Sequence, residues 1–538
     1  MRYYQRLIRQ IKQQTRKKEE KEHQEQEEPP RRLCSDLKEN TDALKGIFGE
    51  SSDLVIREFV FGKEGELQAV LMFIDGMVNL SLINDNIVKP LMYDSRMVSP
   101  GKHLGVQSMK ELRDRLLSAG DIKAIYTISE AAEGCINGDA ILLVDGFDEA
   151  VEISAKGWDK RAVSEPNTET VVRGPREGFT ENLRTNTAMI RRKIKNPALK
   201  ICSVTVGKRT RTPVNILYIE GITNPKLVKE VERRIGNIDT DEVLAVGYIE
   251  QFIEDSPYSA FQTMWYSEKP DAIAGKLLEG RVAIIMDGTP FVLSIPMLFM
   301  ENFQTSEDYA IRSYYATVLR LLRLTAFFIS MFAPALYVAL VTFHQELIPT
   351  ALLFTMAAAS EGVPFPAVVE TGLMLLSFEI IKEAGVRMPR PVGQAISIVG
   401  ALVMGQSAVQ AGIVGAPVVI VIAITAVSSF VTPIAADAVF LLRWMLLILA
   451  SAMGLFGVTM GALALLVHLV SLRSFGTHYF APLAPFQPDD IKDTVIRAPL
   501  WTMRTRPRAL HPQDLKRQNF NIPFDPTAGK EKPPGGKS

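Results

Sequence analysis

The sequence lacks several features that would assign it to a common class of soluble protein. It contains 3 cysteines in 538 residues, far apart and in no C-x-x-C pair, which argues against a disulfide framework and against a cysteine zinc site. No apolar stretch of signal-peptide length lies near the start, so we expect the N-terminal part of the chain to remain in the cytosol. The net charge of 0 provides no overall attraction to nucleic acid.

Motifs of the common enzyme classes are also absent. The sequence contains no G-x-x-x-x-G-K-[ST], no H-E-x-x-H and no G-x-S-x-G, and its 6 histidines are scattered. We therefore predict a protein that is not an enzyme and that has no metal site and no cofactor.

Charged residues are distributed unevenly along the chain. Only ten Asp, Glu, Lys or Arg residues lie between Leu324 and Leu472, and none lies between Pro391 and Ala436. A helix rises about 1.5 Å per residue, and a hydrocarbon core is about 30 Å thick. Three stretches are long and apolar enough to cross it: Leu324–Phe343, Ile413–Thr432 and Trp444–Val470.

Basic residues beside these stretches place both ends of the membrane part on the cytoplasmic side, which requires an even number of crossings. The shorter apolar stretches at 347–380 and 395–411 leave the number between four and six. Either 347–380 crosses once with a bend, or the run Trp444–Val470 is broken near its glycines.

Before the apolar part, helical and extended patterns alternate, which predicts a cytosolic α/β domain. Four apolar runs each end at Asp-Gly or Glu-Gly, which suits tight hairpin turns and suggests two related subdomains. These turns are Asp75-Gly76, Asp145-Gly146, Glu220-Gly221 and Asp287-Gly288. Apolar spacing predicts helices at about 80–93, 107–119, 179–195 and 225–236.

These patterns divide the chain into five parts. We expect a charged arm, a first and a second α/β subdomain, a helical transmembrane domain of four to six segments, and a partly disordered cytosolic tail. Their predicted bounds are 1–32, 33–170, 171–300, 301–472 and 473–538.

The segment Ser360–Pro366 is the main candidate for a functional site in the membrane. It contains Glu361, Gly362 and two prolines after a short apolar run, and Glu370 follows, which predicts a bent or re-entrant element beside a polar pathway. Rings of Glu361 and Glu370 would attract cations if several copies surrounded one axis. In the alternative interpretation, Glu361 lies at the headgroup level and only ends a helix.

Other polar and small residues in the apolar part predict helix packing. Gln406 and Gln410 share one helix face and suit hydrogen bonds between helices, while Gly457 and Gly461 have the G-x-x-x-G spacing of closely packed helices. Asp437 and Arg443 either pair or flank the membrane interface.

A possible anion-binding turn lies before the apolar part. Gly174, Arg176 and Gly178 precede a helix that carries four basic residues, and the N-terminus of a helix attracts anions. We prefer the simpler interpretation of a Gly/Pro turn that leads into a basic helix.

Several motifs in fixed order resemble the A-subunit family of bacterial spore germinant receptors, the GerA family. The resemblance covers residues 35–510. The motifs are the Gly174–Phe179 turn with its helix, Asp287–Pro296, Asp308–Arg320, Glu361–Pro366, Glu383–Gln394 and Arg473–Gly476.

The resemblance implies a receptor subunit in the inner membrane of the spore that works with B and C subunits and triggers germination when small nutrients appear. In this family the A subunit is thought to form a homo-oligomeric cation channel. The expected constriction comprises Ser360, Glu361, Val363 and Pro364, with Glu370 nearby. The open alternatives are a secondary transporter of the nutrient and a membrane scaffold without conduction.

Overall fold

The computed structural model describes residues 31–61, 67–94, 122–157, 166, 169, 171–387 and 403–518. An α/β region with antiparallel sheets comes first, and a bundle of apolar helices follows. The predicted fold class is confirmed. Residues 1–30 of the predicted arm and the predicted helix at 107–119 lie outside the described residues.

The first sheet contains five antiparallel strands in the order β1-β2-β4-β5-β3. The strands are β1 (Leu54–Phe61), β2 (Leu67–Ile74), β3 (Ile122–Ile125), β4 (Ala140–Val144) and β5 (Ala150–Ile153). Helices α1 (Leu37–Phe48) and α3 (Ile128–Ile136) bury their apolar faces against one side of this sheet. Between β2 and β3 lie the short helix α2 (Leu80–Ile83) and two π-helical turns, Asn84–Val88 and Pro90–Asp94.

The second sheet repeats the same topology, with the strand order β6-β7-β9-β10-β8. Its strands are β6 (Leu199–Val206), β7 (Thr212–Ile219), β8 (Trp265–Ser267), β9 (Val282–Met286) and β10 (Val292–Ile295). Its helices are α4 (Leu183–Lys193), α5 (Pro225–Gly236), α6 (Val246–Ile253) and α7 (Pro270–Leu278).

Two of the four predicted strand-turn-strand units are present. Asp145-Gly146 joins β4 to β5, and Asp287-Gly288 joins β9 to β10. The other two predictions are wrong, because a helix follows Gly76 and Gly221 instead of a strand. The side chains of Asn79 and Asn224 cap those helices by accepting backbone N–H bonds. All four glycines have positive φ, so the glycine marks the turn and the following cap decides the next element.

A buried ion pair joins the two sheet regions. Arg191 of α4 donates two hydrogen bonds to Asp53, which precedes β1, at 2.8 and 2.9 Å, and a third to Ser51 at 2.8 Å. The guanidinium and the carboxylate are both almost completely buried. Removing one partner of such a pair leaves an uncompensated buried charge.

The bundle consists of helices of very different lengths. They are α8 (Ser313–Phe343), α9 (Thr350–Ser360), α10 (Ala367–Arg387), α11 (Ala416–Val431) and α12 (Ala436–Ser471). Among the described residues, two helical stretches are long and apolar enough to cross a membrane, Ser313–Phe343 and Pro433–Ser471. The predicted crossing over Ile413–Thr432 corresponds to α11, whose 16 residues reach only about 24 Å.

The C-terminal segment differs from the predicted extended tail. Residues 473–518 pack against the second sheet region, beginning with the short pair β11 (Arg473–Ser474) and β12 (Thr477–His478). Ser474 donates to the carbonyl of Thr263, and Arg506 donates to the carbonyl of Leu278. The many prolines of this segment lie in short turns against the domain, where their fixed φ suits irregular packed structure. Residues 519–538 lie outside the described residues.

Candidate functional site in the helical bundle

The predicted bent element is a short helix, a turn and a long helix. Helix α9 ends at Ser360, the turn covers 361–366, and α10 begins at Ala367, so Pro364 and Pro366 fall where no helical hydrogen bond is required. None of the eleven residues of α9 is buried. Leu353, Met356 and Ser360 are half-buried, and Met356 packs on the cluster around Tyr337 and Val338, while the other eight residues of α9 are exposed.

Glu370 connects this element to a second turn. Its Oε2 accepts a hydrogen bond from the backbone N–H of Gly415 at 2.8 Å, directly before α11. A side chain at position 415 would place its Cβ 3.3 Å from Ser360 Oγ and 3.5 Å from Glu370 Oε2, so glycine permits the close approach. A carboxylate at the N-terminus of a helix is favourable, because the free N–H groups and the helix dipole attract negative charge.

The structure places the five predicted constriction residues in three different environments. Glu361 and Pro364 are exposed, Ser360 and Val363 are half-buried, and Glu370 is buried. In a single chain Glu361 and Glu370 therefore do not share one surface. No cluster of three or more potential metal ligands occurs within the part of the chain that the structure describes.

A partly buried carboxylate of α10 pairs with the only arginine of α12. Arg443 contacts Glu379 of α10 at 3.0 Å and donates to the carbonyl of Ser330 in α8 at 2.7 Å. The interaction joins three helices. The alternative in which Arg443 pairs with Asp437 is therefore wrong, although the two residues share one helix.

Two contacts of α10 show how it is oriented relative to α8. Ala367 and Val368, at the start of α10, pack against the cluster that contains Tyr337 and Val338 of α8. Glu379, further along α10, reaches the Ser330 level through Arg443. Helix α10 therefore runs antiparallel to α8 and begins five or six residues before the end of α8.

Helix α12 is broken at Gly454 and folds back on itself. Gly454 has φ +61°, and a Cβ at this position would lie 2.9 Å from Phe343 at the end of α8. A Cβ at Gly461 would lie 2.6 Å from Leu446, although residues 15 apart in a continuous helix are about 22 Å apart. A Cβ at Gly457 would overlap the backbone carbonyl of Leu449. The two glycines of the predicted packing motif thus lie between the two halves of α12.

Gln406 and Gln410 lie in a helical stretch at 403–410, and both are exposed. A hydrogen bond from either amide to another helix would therefore require a helix of a second chain.

The predicted anion-binding turn does not lie at the helix N-terminus. Gly174 and Arg176 are exposed and Gly178 is buried, while α4 begins only at Leu183. The carboxylate of Asp287 accepts the N–H of Leu183, and Asn182 caps the same end. The geometric part of that prediction is wrong, because these oxygens already occupy the first turn.

A buried charge network joins the start of α8 to the α/β region and to the C-terminal segment. Arg320 contacts Asp308 and Asp493, each at 3.0 Å, and Arg323 contacts Asp308 at 2.9 Å. The hydroxyl of Tyr309 donates to Asp493, and burial together with the charge of Asp493 raises the pKa of Tyr309 well above its usual value. The first three turns of α8 are therefore held by protein.

Sequence reasoning assigned no role to this network. Asp308 and Arg320 lie in a motif that carries the family resemblance, but Asp493 is 173 positions away from Arg320. Only the fold of the C-terminal segment brings them together, and a single sequence gives no signal for that pairing.

A neighbouring ionic cluster fixes the segment that leads into α8. Glu301 contacts Lys276 at 2.7 Å and Arg281 at 2.6 Å, and all three side chains are largely buried. Burial alone would raise the pKa of Glu301, but the charges of Arg281 and Lys276 lower it. Glu301 therefore stays ionised and anchors the segment between β10 and α8.

Fold and contacts define a two-part protein in which an antiparallel α/β region is joined by buried ion pairs to an apolar helical bundle. The sequence profile described as Bacillus/Clostridium GerA spore germination protein matches residues 42–509. The chain belongs to this family, as the resemblance of its motifs predicted.

Individual relatives agree with this assignment. Spore germination protein KA of Bacillus subtilis (strain 168) is 44% identical over 503 residues, which cover 93% of this chain and 91% of that protein. Spore germination protein B1 of the same organism is 37% identical over 498 residues, 90% of this chain and 100% of that protein. The crystal structure of the N-terminal domain of the A subunit of the Bacillus megaterium spore germinant receptor GerK3 is 36% identical and covers 51% of this chain and 99% of its own, with a TM-score of 0.40.

Proposed function

We propose that this chain is the A-type membrane subunit of a nutrient germinant receptor and that copies of its helical bundle assemble around a cation path. Membership of a spore germination family supports the first part. The second part depends on one observation: α9 is an apolar helix without a single buried residue, and it ends in the exposed turn that carries Glu361.

The contacts between helices support a path of four crossings. Helix α8 leaves the cytosol, and α9 with α10 returns, bent at the Glu361 turn. Helix α11 starts inside the membrane beside Glu370 and runs in parallel with α10 toward the cytosol, since Phe378 and Phe430 lie 6.2 Å apart, so it does not cross the membrane. The two halves of α12 provide the third and fourth crossings. Both ends of the bundle then face the α/β region, as the even number requires.

The depth of the turn at 361–366 in the membrane supports an assembly of several copies. Helix α10 begins five or six residues before the end of α8, so the Glu361 turn lies about 8 Å below the outer end of α8. Backbone that is not helical is tolerated at this depth only beside protein or water. The turn at 361–366 is largely exposed in one chain, so other copies, or a water-filled axis between copies, would cover it. Gln406 and Gln410 offer further hydrogen bonds to a neighbouring copy.

The family resemblance supports a proposal for the partner subunits and for the cellular location of this chain. We infer that B and C subunits complete the receptor, that the membrane is the inner membrane of the spore, and that the α/β region lies in the cytosol. Nutrient binding would open the path only through different affinities for the closed and open arrangements.

Reconstitution of the full chain into vesicles tests the proposal. The chain is reconstituted together with the B and C subunits, and labelled nutrient is added. We expect cation flux without accumulation of the nutrient in the vesicles. A secondary transporter is the second candidate, because α9, α10 and α11 are helices that end at membrane depth near a buried carboxylate. Nutrient accumulation without ion flux would favour the transporter, and the absence of both would favour a scaffold.

A further inference from the structure

Helix α6 has apolar residues on two opposite faces. Val246, Ile249 and Ile253 are buried in the core of the second sheet region. The α6 stripe, defined as Leu244, Tyr248 and Phe252, faces outward and is 58%, 39% and 54% exposed. Tyr248 and Phe252 lie four residues apart on one side of the helix, and Leu244 lies in the loop directly before it.

The loop after α6 is attached to the last turn of α12. Ser259 Oγ lies 3.0 Å from His468 Nε2, and the rings of Phe261 and His468 are 6.5 Å apart. Tyr258 is the residue directly before Ser259, and its side chain is fully exposed. This tyrosine therefore lies beside the point where α12 ends.

That point coincides with the cytosolic edge of the proposed membrane. Phe261 packs on Phe299, and Phe299 packs on Phe327, with ring centroids 6.0 and 5.9 Å apart. Phe327 is the fourth residue of the predicted span Leu324–Phe343, and the preceding turns of α8 are held by the charge network. The loop that carries Tyr258 is therefore level with the first turn of α8 inside the span.

Charges at the two ends of the α6 stripe are largely paired within the chain. Before Leu244, Asp239 pairs with Lys208 and Asp241 pairs with Arg209. At the other end, Arg233 and Arg234 both pair with Glu230, and Arg234 also pairs with Asp255. The location of Tyr258 beside the end of α12, rather than a difference in charge, therefore argues for contact with the membrane.

We propose that the end of α6 and the loop after it dock on the lipid headgroups of the membrane that the bundle crosses. Tyr258 lies deepest, Phe252 lies at the surface, and Leu244 points away from it. Aromatic side chains with one polar end favour this interface. The inference rests on the proposed membrane function, and its partner is the lipid surface rather than a second protein.

Site-specific fluorescence on the full chain tests this inference. Cys34, Cys135 and Cys202 are replaced, and a single cysteine is introduced by Tyr258→Cys, Phe252→Cys or Leu244→Cys and labelled with bimane. The chain is reconstituted in phosphatidylethanolamine and phosphatidylglycerol vesicles that contain lipid with a nitroxide on the headgroup. Tyr126→Cys, at an exposed position in the first sheet region, is the control for residues far from lipid.

We expect the nitroxide to quench bimane strongly at 258, less at 252, and as little at 244 as at 126. Equal and weak quenching at all four positions would overturn the inference. Quenching that disappears when the protein is diluted in the bilayer would assign the surface to a second copy and would overturn it too. Bimane at Leu336→Cys, tested with acyl-chain nitroxide, reports separately on the proposed function: quenching there shows that α8 lies in lipid, even when the docking inference fails.

Discussion

The carboxylate of Glu370 lies 2.8 Å from the backbone nitrogen of Gly415, and this hydrogen bond joins α10 to the first turn of α11. Two half-helices therefore meet at a buried carboxylate, next to the turn that carries Glu361. Because the bond is buried, we expect its loss to cost more than that of an ordinary surface hydrogen bond.

Gly415→Ala should weaken this junction, because the new Cβ would lie 3.3 Å from Ser360 Oγ and 3.5 Å from Glu370 Oε2. We expect a lower Tm of the detergent-solubilised chain, by an amount equivalent to about 1 kcal/mol. Gly362→Ala is the matched control, since nothing lies within 4 Å of its added Cβ. Equal Tm values for the two variants would contradict the observed meeting of the two turns.

Gly457→Ala should disrupt the fold of α12, because its Cβ would overlap the backbone carbonyl of Leu449. Backbone cannot move aside as a flexible side chain can, so we expect poor accumulation or a large loss of Tm. The control is Gly275→Ala in α7, where open space surrounds the added methyl and helix propensity favours alanine. If both variants are as stable as the parent, α12 does not fold back, and the four-crossing path is wrong.

Arg443→Met should remove the closest partner of the partly buried carboxylate of Glu379, which would retain only Lys382 at 3.7 Å. We expect destabilisation of about 1–3 kcal/mol, as for the loss of a hydrogen bond to a charged group. The double variant with Glu379→Leu should recover most of the loss, because the carboxylate that loses its partner is removed as well. Unfolding of the single and double variants in mixed micelles measures the difference, and a double variant less stable than Arg443→Met would contradict the pairing.

The stability of the α6 region should depend on pH through Glu250. Burial, and then the charge of Glu254, raises the pKa of Glu250 from 4.5 to about 7. Below the unfolded pKa both states are protonated and folding has no charge penalty, whereas stability is lost as the pH rises through the folded pKa. Glu250→Gln should therefore raise Tm at about pH 8 and leave it unchanged at about pH 4. An equal increase at both pH values would show that the carboxyl charge is not the cause.

The sequence predicted the parts of the fold that depend on local chemistry. Pro225 and the spacing of Leu227, Val228 and Val231 predict α5 at its observed bounds, and the glycines near 454 were one of two explanations for an even number of crossings. The other explanation was a bent crossing over 347–380. The structure contains both features, because the chain bends after α9 and α12 is broken at Gly454. Residues Leu324–Phe343 likewise lie inside one helix, which continues through Pro334 and ends before a polar turn.

Contacts between distant segments could not be predicted from the sequence. Arg443 could pair with any carboxylate in the bundle, and the choice of Glu379 over Asp437 depends on how α10 packs on α12. The proline-rich C-terminal segment looked extended, because a single sequence does not reveal the surface it covers. Burial separates Glu370 from Glu361, although both are isolated acidic residues in apolar sequence.

The central claim is that the Glu361 turn lines a cation path between copies of the bundle. Potassium release from nutrient-challenged spores that carry Glu361→Gln tests it most directly, with Glu346→Gln, an exposed glutamate outside the turn, as the matched control. We predict slower release for Glu361→Gln at an unchanged level of the protein, and normal release for the control. Potassium release from Glu361→Gln spores at the parental rate would contradict the placement of the path.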